Sequence, residues 1–457
     1  MKKMSRWPTV SNMKESLSKG HERTVKAKTN IAASIIIKGG QVIVNLILVP
    51  LTINFVNPKQ YGIWLTLSSI IAWFTFLDIG LSHGLRNKIV ETEVFGNNTN
   101  TRIFVSTTYA ALIAIAIALF IIFFFINPFI NWHDILKIQS YSAGELRQLV
   151  LLLFSFFCLQ LILQNLNSIL LANHDPMKVS LISLIGQTIS IVIIYILSRM
   201  ITGNLYILVL VLGGLPPIIL FLSSLFLFKT SYSNYAPSIK MIKLKYAKEL
   251  LRVGGNFFII NLGVIVLYQS DNIIITQLFG PSDVTTFNIA YKLFYAIIII
   301  FTIFITPFWS AFTDAYLKKD FTWIKTTQRK FYKIIFYLLW VTILLVLFSP
   351  MIYPFWVGNS IKIPFSISIC MGIYVIIYMW HTLHVNILNG IGKIKLQLYL
   401  VLISSVANVL ISIWLSKIIG LTGIIISNSF VFLVMGVILA IQCKKILNNT
   451  ATKIWNR

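Results

Sequence analysis

Acidic residues are nearly missing: 13 Asp and Glu stand against 38 Lys and Arg in 457 residues, a formal net charge of +25. Charge of either sign is scarce, at 11% of residues, and mean hydropathy is +0.84. Soluble domains carry about 25% charged residues, so the composition excludes one. The basic excess does not mark a nucleic-acid binder, because Lys and Arg fall in short stretches between long apolar runs rather than on amphipathic surfaces. Three cysteines, Cys158, Cys370 and Cys443, are too few and too scattered for a disulfide framework or a metal site. No removable leader is expected, since about thirty polar and basic residues precede the first apolar run without a short apolar core or a small-residue cleavage site.

Enzyme signatures are equally sparse. A phosphate loop of the form G-x-x-x-x-G-K-[ST] does not occur: Gly390-Ile391-Gly392-Lys393 lacks the upstream Gly and the following Ser or Thr, which speaks against ATP drive within this chain. His381 and His384 are three apart in an apolar run and only faintly resemble a metal pair. The longest outer loop, about residues 126–148, is too short for an extracytoplasmic domain, which counts against a polysaccharide polymerase. We expect no enzyme activity and no cofactor.

What the chain does have is a succession of apolar runs of about 18 or more residues, roughly twelve in all, which predicts an all-α polytopic membrane protein. Residues 1–30 read as a basic arm, 31–228 as a first lobe of six helices, 229–252 as a basic linker (Lys240, Lys243, Lys245, Lys248), 253–441 as a second lobe of six, and 442–457 as a tail. On these spans about 30 of the basic residues fall on the side of both termini and about 6 on the other, which puts both termini in the cytoplasm. The basic stretches read first as topology determinants, and they can also touch anionic lipid at about 1 kcal/mol per residue. The turns around Pro58 and Pro281 form a weak repeat, each joining two apolar helices at the start of its lobe.

Several helices carry polar stripes at helical spacing. Asn30, Ser34, Lys38, Gln41 and Asn45 share one face of the first helix; Ser68, Thr75, Asp78 and Ser82 line up on the second, Gln160, Gln164 and Asn167 on the fourth, Ser183, Gln187 and Ser190 on the fifth, and Asn288, Lys292 and Tyr295 on the eighth. Any one stripe could be interhelical hydrogen-bonding glue, but stripes in both halves that include Lys and Gln favour a water-accessible central cavity. The intramembrane charges are Lys38, Asp78, Asp271 and Lys292. Lys38 and Asp78 both lie about 25 Å below the first turn at 1.5 Å per residue, whereas Asp271 and Lys292 lie about 8 to 12 Å below the seventh-to-eighth turn, so each pair could latch one end of the cavity. Lys292 is near enough to a helix end to snorkel.

The run Asp78-Ile79-Gly80-Leu81-Ser82-His83-Gly84-Leu85-Arg86-Asn87 resembles the D-x-G-x-x-x-G-L-R-N signature of O-antigen and oligosaccharide flippases, members of the multidrug/oligosaccharidyl-lipid/polysaccharide exporter superfamily. So do Thr306 to Tyr316 with Asp320 and Trp323, Trp356-Val357-Gly358, and Asn389 to Lys393 with Gln397. The resemblance spans nearly the whole chain. It implies two six-helix lobes around a cavity and passage of an undecaprenyl-diphosphate-linked sugar repeat unit across the bacterial cytoplasmic membrane. Lys38, Gln41, Asn45, Gln164, Lys292 and Tyr295 are the candidate substrate residues, and Asp78, Arg86 and Asp271 the candidate gate or ion-coupling residues. The expected partners are the lipid-linked oligosaccharide and membrane lipids, with a polymerase and a chain-length regulator downstream, and no nucleic acid. A cation-coupled drug antiporter of the same superfamily is the alternative, which acidic rather than basic cavity residues would favour; a membrane polysaccharide polymerase ranks below it.

Overall fold

The computed structural model describes residues 22–78, 80–94, 98–173, 175–243 and 245–456, without the side chains of 22–35, 76–77, 83, 93–94, 98–99, 248–261, 264, 268 and 310. Asn30 and Ser34 of the first stripe are therefore placed only as backbone, and most of the basic arm lies outside the described residues.

Twelve long helical units run through the described residues, and they contain no strand. The first lobe holds α1 (Glu22–Val56), α2 (Pro58–Trp73, a 3-10 turn Phe74–Asp78, then Leu81–Val94) and α3 (Asn98–Ile126). It continues with α4 (Ala143–Leu163 and Asn165–Ala172), α5 (Pro176–Met200) and α6 (Leu205–Leu208, a π segment Val209–Gly214, then Leu215–Lys229). The second holds α7 (Lys245–Leu278), α8 (Pro281–Ile305 and Phe308–Leu317), α9 (Phe321–Val357), α10 (Phe365–Ile391), α11 (Lys395–Ile419) and α12 (Thr422–Leu447). Ten of these are long and apolar enough to cross a membrane, α2 and α7 being the exceptions among the described residues. In the first lobe α1 packs on α5 and α3 on α4; in the second α12 packs on α10 and α11, and α7 on α11.

The breaks have local causes. Pro307 lacks an N–H and interrupts α8 after Ile305. Pro216 and Pro217 remove two donors from α6, and the helix widens into its π segment just before them. The apolar runs Tyr61 to Leu81 and Phe287 to Phe312 each read as one continuous helix in the sequence; Pro307 breaks the second, and the 3-10 turn Phe74–Asp78 breaks the first. Asp78 ends this 3-10 turn rather than continuing the stripe of Ser68 and Thr75, and Gly80, at φ 75°, turns the chain into the second half of α2. The linker also differs from expectation, since α7 already starts at Lys245. Its two 3-10 turns dock on the first lobe through Tyr232 Oη to Asp175 Oδ2 (3.0 Å), Tyr235 Oη to Asn173 Oδ1 (2.8 Å) and Ser238 N to Ser106 Oγ (2.9 Å).

The two Pro turns share one geometry. Asn57 and Gly280 both precede a proline at φ 99°, and each proline opens a helix. Asn57 Oδ1 accepts from Gln60 N (3.0 Å) and so caps α2. The turns also meet across the lobe boundary, where α2 lies against both α7 and α8.

Candidate functional site: the seam between the lobes and the chamber behind it

Among the described residues six hydrogen-bonding bridges join the lobes at the Pro-turn end, the outer end on the expected topology. From the turn inward, Thr285 Oγ1 donates to Pro58 O (2.6 Å), Lys292 Nζ to Tyr61 Oη (2.8 Å), Thr66 and Thr276 share a hydrogen bond (2.6 Å), and Asn272 Nδ2 donates to Ser69 Oγ (2.8 Å). Gln277 Nε2 reaches two carbonyls of the loop helix Trp132–Leu136, Asp134 O (3.1 Å) and Ile135 O (2.7 Å). The backbones touch as well: a Cβ on Gly62 would stand 1.7 Å from Pro281 O, so only glycine permits this approach.

The sixth bridge repairs a helix. Pro50 sits inside α1 and cannot donate to Leu46 O, the carbonyl four residues back. Trp356 Nε1 at the end of α9 donates to that carbonyl instead (2.9 Å), so an indole from the second lobe replaces the missing backbone donor of the first.

Behind the seam lies a chamber of about 660 Å³ within the second lobe, lined by α7, α8, α10, α11 and α12. Asp271 of α7 is 8% exposed and accepts at Oδ2 from Asn428 Nδ2 (2.6 Å), while its Oδ1 has no hydrogen-bond partner. Asn428 is held in turn by Asn408 Nδ2 of α11 (2.8 Å), and Ser427 Oγ donates to Asn408 Oδ1 (2.9 Å). Opposite stand Tyr291 and Tyr295, stacked at 5.2 Å, with Tyr374, Tyr378 and His381, whose two ring nitrogens are both without partners. Seam and chamber join at consecutive residues of α7: Asp271 faces the chamber, and Asn272 reaches Ser69 while accepting from Asn288 Nδ2 (2.7 Å).

The expected site residues are dispersed over these features. Lys38 is exposed and makes no hydrogen bond or ion pair with the described residues. Gln41 Nε2 donates to Ser180 O of α5 (3.0 Å), and Asn45 is half-buried on the same helix. Gln164 marks the break in α4, where its N–H reaches Gln160 O (2.9 Å). Asp78 accepts from Ser82 N and lies 3.1 Å from Ser82 Oγ, which also lies 3.1 Å from Asn165 Oδ1 of α4; Arg86 is exposed. The charge pairs do not form: no bridge joins Lys38 to Asp78, and Lys292 goes to a tyrosine while Asp271 goes to an asparagine. A lysine across the seam and a carboxylate in the chamber are on different faces, which depth along the helices does not reveal. His381 and His384 also separate, His381 facing the chamber and His384 bonding to Tyr332 Oη on α9 (3.0 Å), and the described residues hold no metal-binding cluster.

Sequence reasoning named Asp271, Asn288, Tyr295 and Gln397 but missed Tyr291, Tyr374, Tyr378 and the Asn408–Asn428 pair, and it placed Trp356 in a motif without its partner. Tyr291/Tyr295 and Tyr374/Tyr378 at four-residue spacing, with Asn408 and Asn428 in apolar runs, were the available signal.

Several proteins are similar to this chain. A candidate O-antigen transporter of Salmonella typhimurium is 23% identical over 430 residues, covering 91% of this chain and 94% of that protein. A candidate O-antigen export protein of Yersinia pseudotuberculosis is 20% identical over 360 residues, covering 76% and 79%. Among solved structures, a multidrug-resistance MATE transporter of the MOP superfamily in its inward-facing conformation gives a TM-score of 0.75 at 14% identity, covering 92% of this chain and 98% of that one. The outward-facing conformation of such a transporter gives 0.63 at 14% identity, covering 94% and 97%. The fold is thus that of the MOP transporters, and the protein is a multi-pass membrane protein. The family model described as "Polysaccharide biosynthesis protein" matches residues 27–313, well over half of the chain, and the chain belongs to that family.

Proposed function

We propose that the protein moves an undecaprenyl-diphosphate-linked oligosaccharide from the inner to the outer leaflet of a bacterial cytoplasmic membrane by alternating access. The observation that carries this reading is how the two intramembrane lysines are held. Lys38 has no counter-charge among the described residues, and Lys292 is satisfied by a neutral hydroxyl. Cations held without carboxylates suit an anionic cargo and repel a cationic drug, which sets this reading above the antiporter. The names of the Salmonella and Yersinia relatives support the same cargo class.

A diphosphate of about −2 leaving a negative-inside cell gains about 4.6 kcal/mol per 100 mV, so no ATP site is needed. The closed seam and the likeness to an inward-facing transporter support a state open to the cytoplasm, where Lys38 meets the cargo first. Asp271 is the residue we assign to coupling with H⁺ or Na⁺, because it lines the chamber with an Oδ1 that has no partner among the described residues, while its neighbour Asn272 holds the seam. Downstream polymerisation would add direction.

Lys38→Ala should leave membrane insertion unchanged and lower polymer export by about tenfold or more, while Lys38→Arg keeps most of it because the charge survives. Export at the original rate in Lys38→Ala, with normal protein levels, would remove the anionic-cargo role.

A further inference from the structure

A second, separate groove of about 600 Å³ opens on the outer face of the second lobe, between α9 and α12 with α10 as its floor. Three cations line it: Lys325 and Arg329, one turn apart on α9, and Lys444 in the last turn of α12. Lys325 Nζ donates to the neutral Asn448 Oδ1 (2.8 Å), and Arg329 and Lys444 are exposed without an ion pair among the described residues. α9, α10 and α12 contain no Asp or Glu, and Asp320, the cap of α9, turns its carboxylate to Trp323 N (2.9 Å). The polar groups of the floor are hydrogen-bonded to one another. His384 Nδ1 faces Trp380 O (2.8 Å), a pure acceptor, so the proton is on Nδ1; Nε2 then accepts from Tyr332 Oη (3.0 Å), which accepts from Gln328 Nε2 (3.1 Å).

The wall changes character along α12. Val437, Ala440 and Ile441 share the face that ends at Lys444, at spacings of three and four residues. From Val437 to Lys444 the helix rises about 10 Å, so a cluster of positive charge stands at one end of an apolar track that is open to the lipid side. Polar groups spaced in this way match a phospholipid with one phosphodiester and an acyl chain.

We infer that this groove seats an anionic phospholipid, its phosphate held by Lys325, Arg329 and Lys444 and one acyl chain lying along Val437, Ala440 and Ile441. Basic pockets between helices at a membrane surface bind such headgroups, and each basic residue adds attraction. The inference rests on the membrane reading and is independent of the cargo and of the orientation of the termini.

The test uses the full chain, delipidated in mild detergent and offered phosphatidylglycerol and phosphatidylcholine in equal amounts, with retained lipid counted by native mass spectrometry. The protein should keep phosphatidylglycerol over phosphatidylcholine by about tenfold or more. K325Q/R329Q/K444Q should bring the ratio near one, while K240Q/K243Q/K245Q, with the same loss of charge in the linker, should leave it unchanged. Equal loss in the linker variant would show attraction to net charge only and overturn the site. An undiminished ratio in the groove variant would do the same. If inorganic phosphate at millimolar concentration displaces the lipid completely, the groove is a phosphate site and the lipid proposal fails. Should the triple variant not be recovered, R329Q alone must lower the ratio several-fold and R329K must hold it, or the proposal falls.

Discussion

The two faces of the second lobe handle positive charge in opposite ways. Along the seam, polar groups are paired with neutral partners and packed until backbones touch; Thr66, Thr276 and Thr285 are each 1% exposed or less, and Lys292 is half-buried. In the groove on the outer face, Arg329 and Lys444 stand exposed and unpaired. The seam contains no salt bridge among the described residues, although Lys292 and Asp271 are both available on adjacent helices. This difference bears on mechanism. A buried ion pair is costly to break, because parting leaves an uncompensated charge, about 3 to 5 kcal/mol. Neutral hydrogen bonds are worth about 1 kcal/mol net each and those to a charged group about 1.5 to 3, so a seam of five neutral bridges and the one from Lys292 can open and close on energies of the same order as the electrical work on the proposed diphosphate cargo.

The strongest way to break the seam is to fill it. Gly62→Val places atoms where Pro281 O already stands, and overpacking of this kind costs about 1 to 3 kcal/mol. That shifts a two-state equilibrium by about fivefold to about 150-fold. Labelling of Ser69→Cys by a membrane-impermeant maleimide, absent with Gly62 intact, should appear in the Gly62→Val background, and export should fall. Labelling that stays absent would show that the turns do not form the barrier.

Trp356→Phe is the next largest. It leaves Leu46 O without a donor at the Pro50 break, at a cost of about 1 to 3 kcal/mol, and should raise the same labelling by less than Gly62→Val. Replacing Pro50 by Ala restores a backbone donor there, so Pro50→Ala with Trp356→Phe should recover the low labelling. If the double change behaves like Trp356→Phe alone, the indole acts by bulk and not by its hydrogen bond.

The smallest effect is expected from Thr66→Val with Thr276→Val. Both partners of one bond become apolar and keep their shape, so stability and labelling should change by less than about 1 kcal/mol, while either single change costs more. Denaturation in detergent and the labelling assay together measure this cycle.

These contacts also show what a sequence can reveal. Helix number, lobe division and the matching Pro turns follow from hydropathy and from one repeated proline, and the structure adds that Asn57 and Gly280 share φ 99°. The partners across the seam were not legible, because helical spacing places Lys292 on a face without saying which helix that face meets. Asp78 was misread for a related reason: its spacing from Thr75 fits a helix, yet the 3-10 turn and Gly80 take it off that face. The chamber was hidden by composition, since tyrosines in apolar runs look like packing until Asp271 is placed among them. Trp356 could be located in its motif, but its bond to Leu46 depends on a proline 306 positions away.

The central claim is that the seam must open for cargo to leave, and a reversible lock tests it most directly. Thr66 and Thr276 bring their Oγ1 atoms to 2.6 Å, so Thr66→Cys with Thr276→Cys, in a chain whose three native cysteines are replaced, places two sulfurs within bonding reach. Oxidation should stop export of the polymer and reduction should restore it, with neither treatment affecting the single-cysteine proteins. Export by the fully cross-linked protein at the rate of the reduced one would contradict the account.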